Sequence, residues 1–349
     1  MSSQKRKLSL ALQGGGSHGA FTWGVLDRLL EETNIEIEAV SGTSAGAFNG
    51  AVLAYGLKSG GREQARRALN GFWRSVSEAG SNVFNPNRTT PFSKLGWNTD
   101  WSPLAIWLEI IALIWSPYDN PFYSSKLDEV LARSIPDFTP LNRRDKPQLF
   151  VCATNVTTNE RKIFSAGEIS IKALLASACL PLTFQAVQAE DGNVYWDGGY
   201  TGNPALSPLL AQELPPDIVI VWVNPLTTET FPVRAREILD RLNELNFNST
   251  LVQEINTIET LNKLIARGAL KVPEYKQVYL HSIADEKNLR PLGFNSKSNT
   301  AWDFLAYLHS LGRNAANAWL KTDGGKIGRK TSANMARILG GLQSPMTRA

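Results

Sequence analysis

Two glycine-bounded turns near the start of the chain hold residues whose types and spacing suit nucleophilic chemistry. One is Gly14-Gly15-Gly16-Ser17-His18-Gly19 and the other is Gly42-Thr43-Ser44-Ala45-Gly46. A serine in a G-x-S-x-G pattern has the form of a nucleophile elbow, because Gly42 and Gly46 let the backbone take a sharp corner that pushes the Ser44 hydroxyl out of a sheet. A helix starting after Ser44 would point its free N–H groups at whatever the serine attacks. That arrangement suits acyl transfer.

The elements needed to position these turns are legible around them. Residues 8–12 form a compact apolar strand candidate, and residues 20–30 place Phe21, Val25, Leu26, Leu29 and Leu30 at helical spacing. Residues 37–40 make a second short apolar run, and Ala45, Ala47, Phe48, Ala51, Val52 and Leu53 open a helix-friendly stretch. Strand, glycine turn and helix therefore occur twice. Two parallel strands would bring both turns to one sheet edge, where amides of one could stabilise negative charge created by the serine of the other. The first turn also fits G-x-G-x-x-G through Gly14, Gly16 and Gly19, but a dinucleotide site needs an acidic residue ending the second strand. This strand ends Ala39-Val40-Ser41-Gly42, with Glu36 and Glu38 at its beginning. A phosphate-binding P-loop is excluded because no Gly-Lys-Ser/Thr follows the glycines.

A serine nucleophile needs a base, and the chain has 3 histidines, His18, His281 and His309. His281 closes an apolar strand candidate at residues 278–280, and His309 lies on a helix among Tyr307, Leu308 and Leu311, so both read as packed or surface residues. Asp197 is the better candidate. It stands in Asn193-Val194-Tyr195-Trp196-Asp197-Gly198-Gly199-Tyr200, where a short aromatic strand meets two glycines. Partial burial beside aromatic rings would raise its proton affinity toward the range of a general base. An Asp-Gly hairpin turn is the plain alternative.

These pieces together resemble the patatin-like phospholipase family, which carries a glycine-rich oxyanion loop, a G-x-S-x-G elbow and a later D-G-G or D-G-A. Here they are Gly14 to Gly19, Gly42 to Gly46 and Asp197-Gly198-Gly199, in that order. An Ala-Ser-x-x-x-Pro-x-x-Phe segment precedes the aspartate in that family, matched by Ala176-Ser177-Ala178-Cys179-Leu180-Pro181-Leu182-Thr183-Phe184. The resemblance covers residues 8–208 and implies an α/β fold, a three-layer α/β/α sandwich with a mainly parallel sheet. It also implies a Ser-Asp dyad, with Ser44 attacking an ester carbonyl and Asp197 taking its proton, and an oxyanion hole built from Gly14, Gly15, Gly16 and His18. Many relatives place Arg or Lys where this chain has His18. A histidine is only partly charged near neutral pH, which leaves most of the oxyanion role to the Gly15 and Gly16 amides.

A chain of 349 residues with 43% hydrophobic content can bury a full core, and one domain over residues 1–320 with an insert at 77–122 and a helical extension at 232–320 is the economical division. Cys152 and Cys179 offer neither a disulfide framework nor metal spacing, and the expectation is no metal and no cofactor. The apolar run after the basic start ends at Leu12, too short for a signal peptide core, which points to a cytoplasmic protein. Residues 63–76 read as an exposed amphipathic helix. Residues 103–115 are hydrophobic almost all round, yet shorter than the roughly 20 residues that span a bilayer. Together with Phe92, Trp97 and Trp101 they form a candidate lid or interfacial anchor, with a buried helix as the alternative. Beyond the aspartate, residues 217–222 read as another buried strand and residues 233–245, 250–266 and 302–320 as helices, the last capped at Asn299-Thr300. Residues 321–349 read as a mobile basic tail. Expected partners are a lipid or acyl-ester substrate and a lipid surface met through residues 92–115 and the tail. A net charge of +4 without any nucleic-acid motif argues against nucleic acid. Phospholipid, lysophospholipid, triacylglycerol, short acyl ester and polyester all remain open as substrates, and a silent lipid-binding protein is the non-enzymatic alternative. A histidine-dependent hydrolase is disfavoured, since that fold places several strands before its elbow.

Overall fold

The computed structural model describes residues 5–81, 116–119, 126–228, 231–272, 274–293 and 295–340. The strand candidates at the N-terminus become β1 (Arg6–Leu12) and β2 (Ile35–Gly42), which run parallel and are joined through helix α1 (Gly19–Leu30). β3 (Gln148–Asn155) extends the sheet parallel to β2, while β7 (Asp217–Val221) and β8 (Tyr279–Ile283) add parallel strands on the other side of β1. Three short antiparallel strands complete it: β4 (Arg161–Phe164) and β6 (Val194–Asp197) on β3, and β5 (Val187–Gln188) on β6. The order is β5-β6-β3-β2-β1-β7-β8, with β4 off this path. Because β1 has β2 on one side and β7 on the other, the chain reverses its direction of travel at β1. A crevice opens at such a point, outside the carboxyl ends of the strands.

Both faces of the sheet are covered, which explains why the central strands read as apolar runs rather than alternating ones. Leu8, Leu10, Leu12, Val219 and Val221 face one layer, with α1, helix α2 (Ala45–Ser81) and helix α7 (Trp302–Thr322) packed on them. Ala11, Ile218, Ile220 and Trp222 face the other, against Leu251, Ile255 and Ile258 of helix α5 (Ala235–Ala266). Helices α3 (Leu127–Ser134), α4 (Ile171–Ser177) and α6 (Glu286–Leu289) are shorter. This is the three-layer α/β/α arrangement with a mainly parallel sheet.

Four expectations change. Residues 63–76 are not an exposed helix but the second half of α2, which continues past Gly60 and Gly61 through a kink where Gly61 takes φ 75° and buries Ala65, Leu69, Phe72 and Trp73. The two helices expected at 233–245 and 250–266 are one helix, since the residues between them keep helical geometry. The last long helix starts after Ala301, with no side-chain cap. The supposed mobile tail is packed as far as the described chain extends: Thr331 and Ser332 bond to Leu280 of β8, and Ile338 and Leu339 of helix α8 (Met335–Leu339) are buried in the second core layer. Too few apolar residues stand there to reveal a period in the sequence. The lid or anchor expected at 92–115 lies outside the described residues.

The C-terminal extension is locked onto the helix that follows the glycine loop. α1 and α7 cross at two glycines: a Cβ on Gly24 would overlap the His309 carbonyl, and one on Gly312 would overlap the Phe21 carbonyl. Beside the crossing, Arg66, Arg313 and His309 converge on Asp27. Burial would raise the Asp27 pKa, but hydrogen bonds from His309 and Arg66 and the two guanidinium charges outweigh it and hold the carboxyl well below the usual range. Gly312→Ala should therefore force the helices apart and lower stability by at least about 1–3 kcal/mol, as overpacking does. Urea denaturation measures this, and an unchanged midpoint would contradict the close crossing.

Candidate active site

The elbow at Ser44 forms because helix α2 begins directly on the end of β1. A Cβ on Gly46 would overlap the Leu12 carbonyl, and one on Gly42 would meet the Gly46 carbonyl, so any larger residue at either position would push the helix off the strand. Ser44 itself takes φ 55°, a left-handed conformation that costs a non-glycine residue on the order of 1–3 kcal/mol. Surrounding bonds hold it there. The Ser44 amide donates to Ser177 Oγ at 2.9 Å, the Ser177 hydroxyl donates to the Cys152 carbonyl at 2.6 Å, and the Thr43 hydroxyl donates to the Gly202 carbonyl at 2.6 Å. The Ala-Ser segment thus acts as a buttress under the elbow, a role its sequence did not reveal.

The glycine loop meets the elbow in direct contact. A Cβ on Gly14 would sit 2.7 Å from the Ser44 Cβ, so the two turns share one sheet edge as their repeated pattern implied. The loop's amides are not equivalent. Gly14 N–H donates to Asn203 Oδ1 at 2.7 Å and His18 N–H donates to the Gly15 carbonyl at 3.2 Å. Gly15 and Gly16 keep their amides unengaged among the described residues. Gly16 adopts φ 56°, a left-handed turn, and is itself exposed, while Gly15 is buried. Gln13 anchors the base of the loop, its Oε1 accepting from the amides of Val223 and Asn224 at 3.0 and 3.1 Å and its Nε2 donating to Asn248 at 2.9 Å.

His18 does not supply the positive charge that its place in the loop suggested. Burial, and then the charge of Lys297, lower its pKa to about 3, so the ring is neutral. Its Nε2 lies 2.7 Å from Ser296 Oγ, and the Ser296 hydroxyl is given to the Gly293 carbonyl at 2.8 Å. Nε2 therefore carries the proton and donates. With its amide and Nε2 engaged, Nδ1 buried without a partner and Phe304 edge-on against the ring, His18 packs the loop as a neutral side chain.

Asp197 ends β6 fully buried. Oδ1 accepts from the Gly199 amide at 2.7 Å, while Oδ2 is buried with no hydrogen-bond partner. Burial pushes its pKa up to about 7, although the Gly199 amide and the nearby Ser44 hydroxyl each pull it down. The Ser44 hydroxyl is thus near enough to act on the Asp197 carboxyl. Gly198 and Gly199 are required by space, since a Cβ on the first would overlap the Cys152 carbonyl and on the second the Phe247 ring. The other histidines are engaged elsewhere: His281 is held by Asp217 and Ser332, and His309 stacks on Trp23. Cys152 and Cys179 are free thiols, buried and pushed up to about 12. No group of three or more His, Cys, Asp or Glu able to hold a metal occurs among the described residues, and no helix there is long and apolar enough to cross a membrane.

A strained serine at a strand-to-helix corner, a glycine loop in contact with it through Gly14 and a buried carboxyl whose pKa the serine hydroxyl lowers therefore form one candidate site. The patatin-like phospholipase model matches residues 10–210, and the chain belongs to that family of lipid ester hydrolases. No curated protein sequence matches it. Among solved structures it is similar to VipD from Legionella pneumophila, at 16% identity and a TM-score of 0.35, covering 88% of this chain and 67% of that one. It is also similar to the type III effector ExoU, at 16% identity and a TM-score of 0.35, covering 91% of this chain and 53% of that one. A second ExoU structure, in complex with SpcU and from Pseudomonas aeruginosa, matches at 15% identity and a TM-score of 0.31, over 88% and 53%. The chain thus spans about half the length of ExoU.

The raised pKa of Asp197 carries a stability cost with a definite sign. Its carboxyl ionises near pH 4 in the unfolded chain and near 7 in the fold, so the fold is at no disadvantage below about pH 4 and loses stability as pH rises toward 7. Above that the deficit is on the order of 4 kcal/mol. Asp197→Asn cannot ionise. It should match the wild type in urea denaturation at pH 4 and exceed it by up to that amount at pH 8; a gap that does not change with pH would refute the raised pKa.

Proposed function

We propose that this chain is a lipid acyl hydrolase that cleaves carboxylic esters through Ser44 and Asp197, with the Gly15 and Gly16 amides as oxyanion donors. The observation that carries the reading is the buried Asp197 Oδ2, which has no partner and belongs to a carboxyl whose pKa is pushed up to about 7, beside the Ser44 hydroxyl. A base with that pKa is half ionised at neutral pH and can both take and return a proton. In the forward step Ser44 Oγ bonds to the ester carbonyl carbon and its proton passes to Asp197. Negative charge on the carbonyl oxygen then falls to the two loop amides, preorganised by Gln13 and Asn203 and aided by the α2 N-terminus. Collapse of the intermediate breaks the bond to the alcohol, which leaves with the proton from Asp197. Water, deprotonated by the same carboxylate, then attacks the acyl carbon, and as the bond to Ser44 Oγ breaks the proton passes from Asp197 back to Ser44 and the acid is released.

The exposed apolar side chains of Phe231, Ile238, Leu242 and Leu245 line an open groove along the start of α5. One helical turn further, Asn248 bonds to Gln13 beneath the glycine loop. An apolar groove on the helix that is tied to the glycine loop is compatible with a substrate that carries a lipid acyl chain. Ester turnover should disappear in Ser44→Ala and fall a hundredfold or more in Asp197→Asn, within the range of general-base loss. Retained turnover in Asp197→Asn, with loss in His281→Ala or His309→Ala, would move the base to a histidine.

A further inference from the structure

The segment at residues 201–207, between Asp197 and β7, touches every part of the candidate site. Its Gly202 carbonyl accepts from the Thr43 hydroxyl of the elbow at 2.6 Å, and its Asn203 Oδ1 accepts from the Gly14 amide at 2.7 Å. Its Ala205 carbonyl accepts from the Ser41 hydroxyl near the end of β2 at 2.6 Å. The Thr201 hydroxyl lies 2.9 Å from that of Thr154, which donates to the Asp197 carbonyl at 2.9 Å. Elbow, glycine loop and base are thus joined through seven consecutive residues.

Both ends of this segment are held by one ion pair. Arg161 on β4 donates its Nε to the Thr201 carbonyl at 2.6 Å and pairs through Nη1 with Glu254 on α5. The second oxygen of Glu254 accepts from the Leu206 and Ser207 amides at 2.6 and 3.0 Å. One guanidinium and one carboxylate therefore span the segment from its first residue to its last. Both side chains are half-buried, and the planar fork of a guanidinium fixes direction as well as distance. The chain between them is enclosed, since a Cβ on Gly202 would come within 3.1 Å of the Arg161 Nε, the Ala205 Cβ and the Cys152 Sγ. Glu254 lies outside the matched residues 10–210, so the brace is closed by the C-terminal extension. A displacement of about 1 Å at a reacting group can cost on the order of a hundredfold in rate. What this pair holds is therefore worth more to turnover than to stability.

We infer that Arg161 and Glu254 are positioning residues: their ion pair braces residues 201–207 and thereby sets the spacing between the glycine loop and the Ser44 elbow. This rests on the assignment of Ser44 as nucleophile and of the loop amides as oxyanion donors. Neither side chain is bonded to Ser44, to Asp197 or to the Gly15 and Gly16 amides. Loss of the brace accordingly acts on turnover and leaves substrate binding and the ionisation of Asp197 in place.

The test uses the full chain carrying Arg161→Met, Glu254→Gln or both. Glu254→Gln keeps an oxygen for the Leu206 and Ser207 amides and removes the charge that Arg161 meets. Each single variant should lower kcat on a soluble short-chain ester by about tenfold or more, with KM within about twofold of the wild type. Fluorophosphonate labelling of Ser44 should slow by a similar factor, still reach one adduct per chain, and keep its titration near pH 7. A lower labelling amplitude at the wild-type rate would show a folding defect and overturn the inference, as would an unchanged kcat or a loss confined to KM. Because either substitution removes the same brace, the double variant should lose no more than the larger single loss; losses that multiply would show two independent residues and overturn it. Should Arg161→Met not fold, Arg161→Gln takes its place with the same expected outcome. Amide exchange followed residue by residue provides a readout free of turnover. Glu254→Gln should speed exchange of the Gly14 amide by about tenfold or more while the amides of β1 keep their rates, and unchanged Gly14 exchange would overturn the brace. If the wild type cleaves no ester and takes no adduct on Ser44, the hydrolase reading fails while the exchange arm still decides the brace.

Discussion

The structure depends on how closely the first turn of α2 approaches the ends of β1 and β2. Gly46 rests on the Leu12 carbonyl, Gly42 on the Gly46 carbonyl, and Gly14 lies against Ser44, so three glycines replace the spacing that side chains would impose. With the turns in contact, the left-handed backbone of Ser44 is fixed by bonds from both sides, and its strain is held by the fold. Of the loop amides, those of Gly15 and Gly16 are left without a hydrogen-bond partner among the described residues. Gln13, Asn203, Asn224 and Asn248 are the polar residues that keep this edge in place. They hold backbone groups by side-chain bonds, which lets a loop between strand and helix be as rigid as either.

Asp197 shows the other side of that design. A buried carboxyl with one satisfied oxygen and one unpartnered oxygen is unfavourable for folding, yet burial is what moves its pKa to about 7. The cost is carried by a sheet whose central strands are buried on both faces and by helices that close over them. α7 takes part in this support: it packs against α1 through Gly312, and Phe304 at its start braces the His18 ring beneath the glycine loop. The C-terminal extension is in this way connected to the candidate site.

The sequence made the local features legible because each is encoded within a few neighbouring residues. Glycine spacing around Ser44, the apolar runs of β1, β2 and β7 and the Asp-Gly-Gly turn all depend on short-range geometry. The missed features depend on partners far apart in the chain. Asn203 reaches Gly14, Lys297 reaches Asn224, and Ser177 reaches Ser44, pairings that no periodicity announces. The charge of His18 was misjudged for a related reason, since its neutrality follows from Ser296, Phe304 and Lys297, all brought in by the extension. At α2 the helix after Gly60 and Gly61, which do break the helical geometry, was legible, but its burial was not, since Phe72 and Trp73 meet core partners far away in the chain.

The proposed chemistry turns on Asp197 acting directly as the base for Ser44 with a pKa near 7. It is tested most directly by the pH dependence of covalent labelling with a fluorophosphonate, followed by intact mass and peptide mapping. The expected result is a single adduct on Ser44 whose rate of formation rises with pH and levels off with an apparent pKa of about 7, a titration absent from Asp197→Asn. An adduct on another residue, or the same titration in Asp197→Asn, would contradict it.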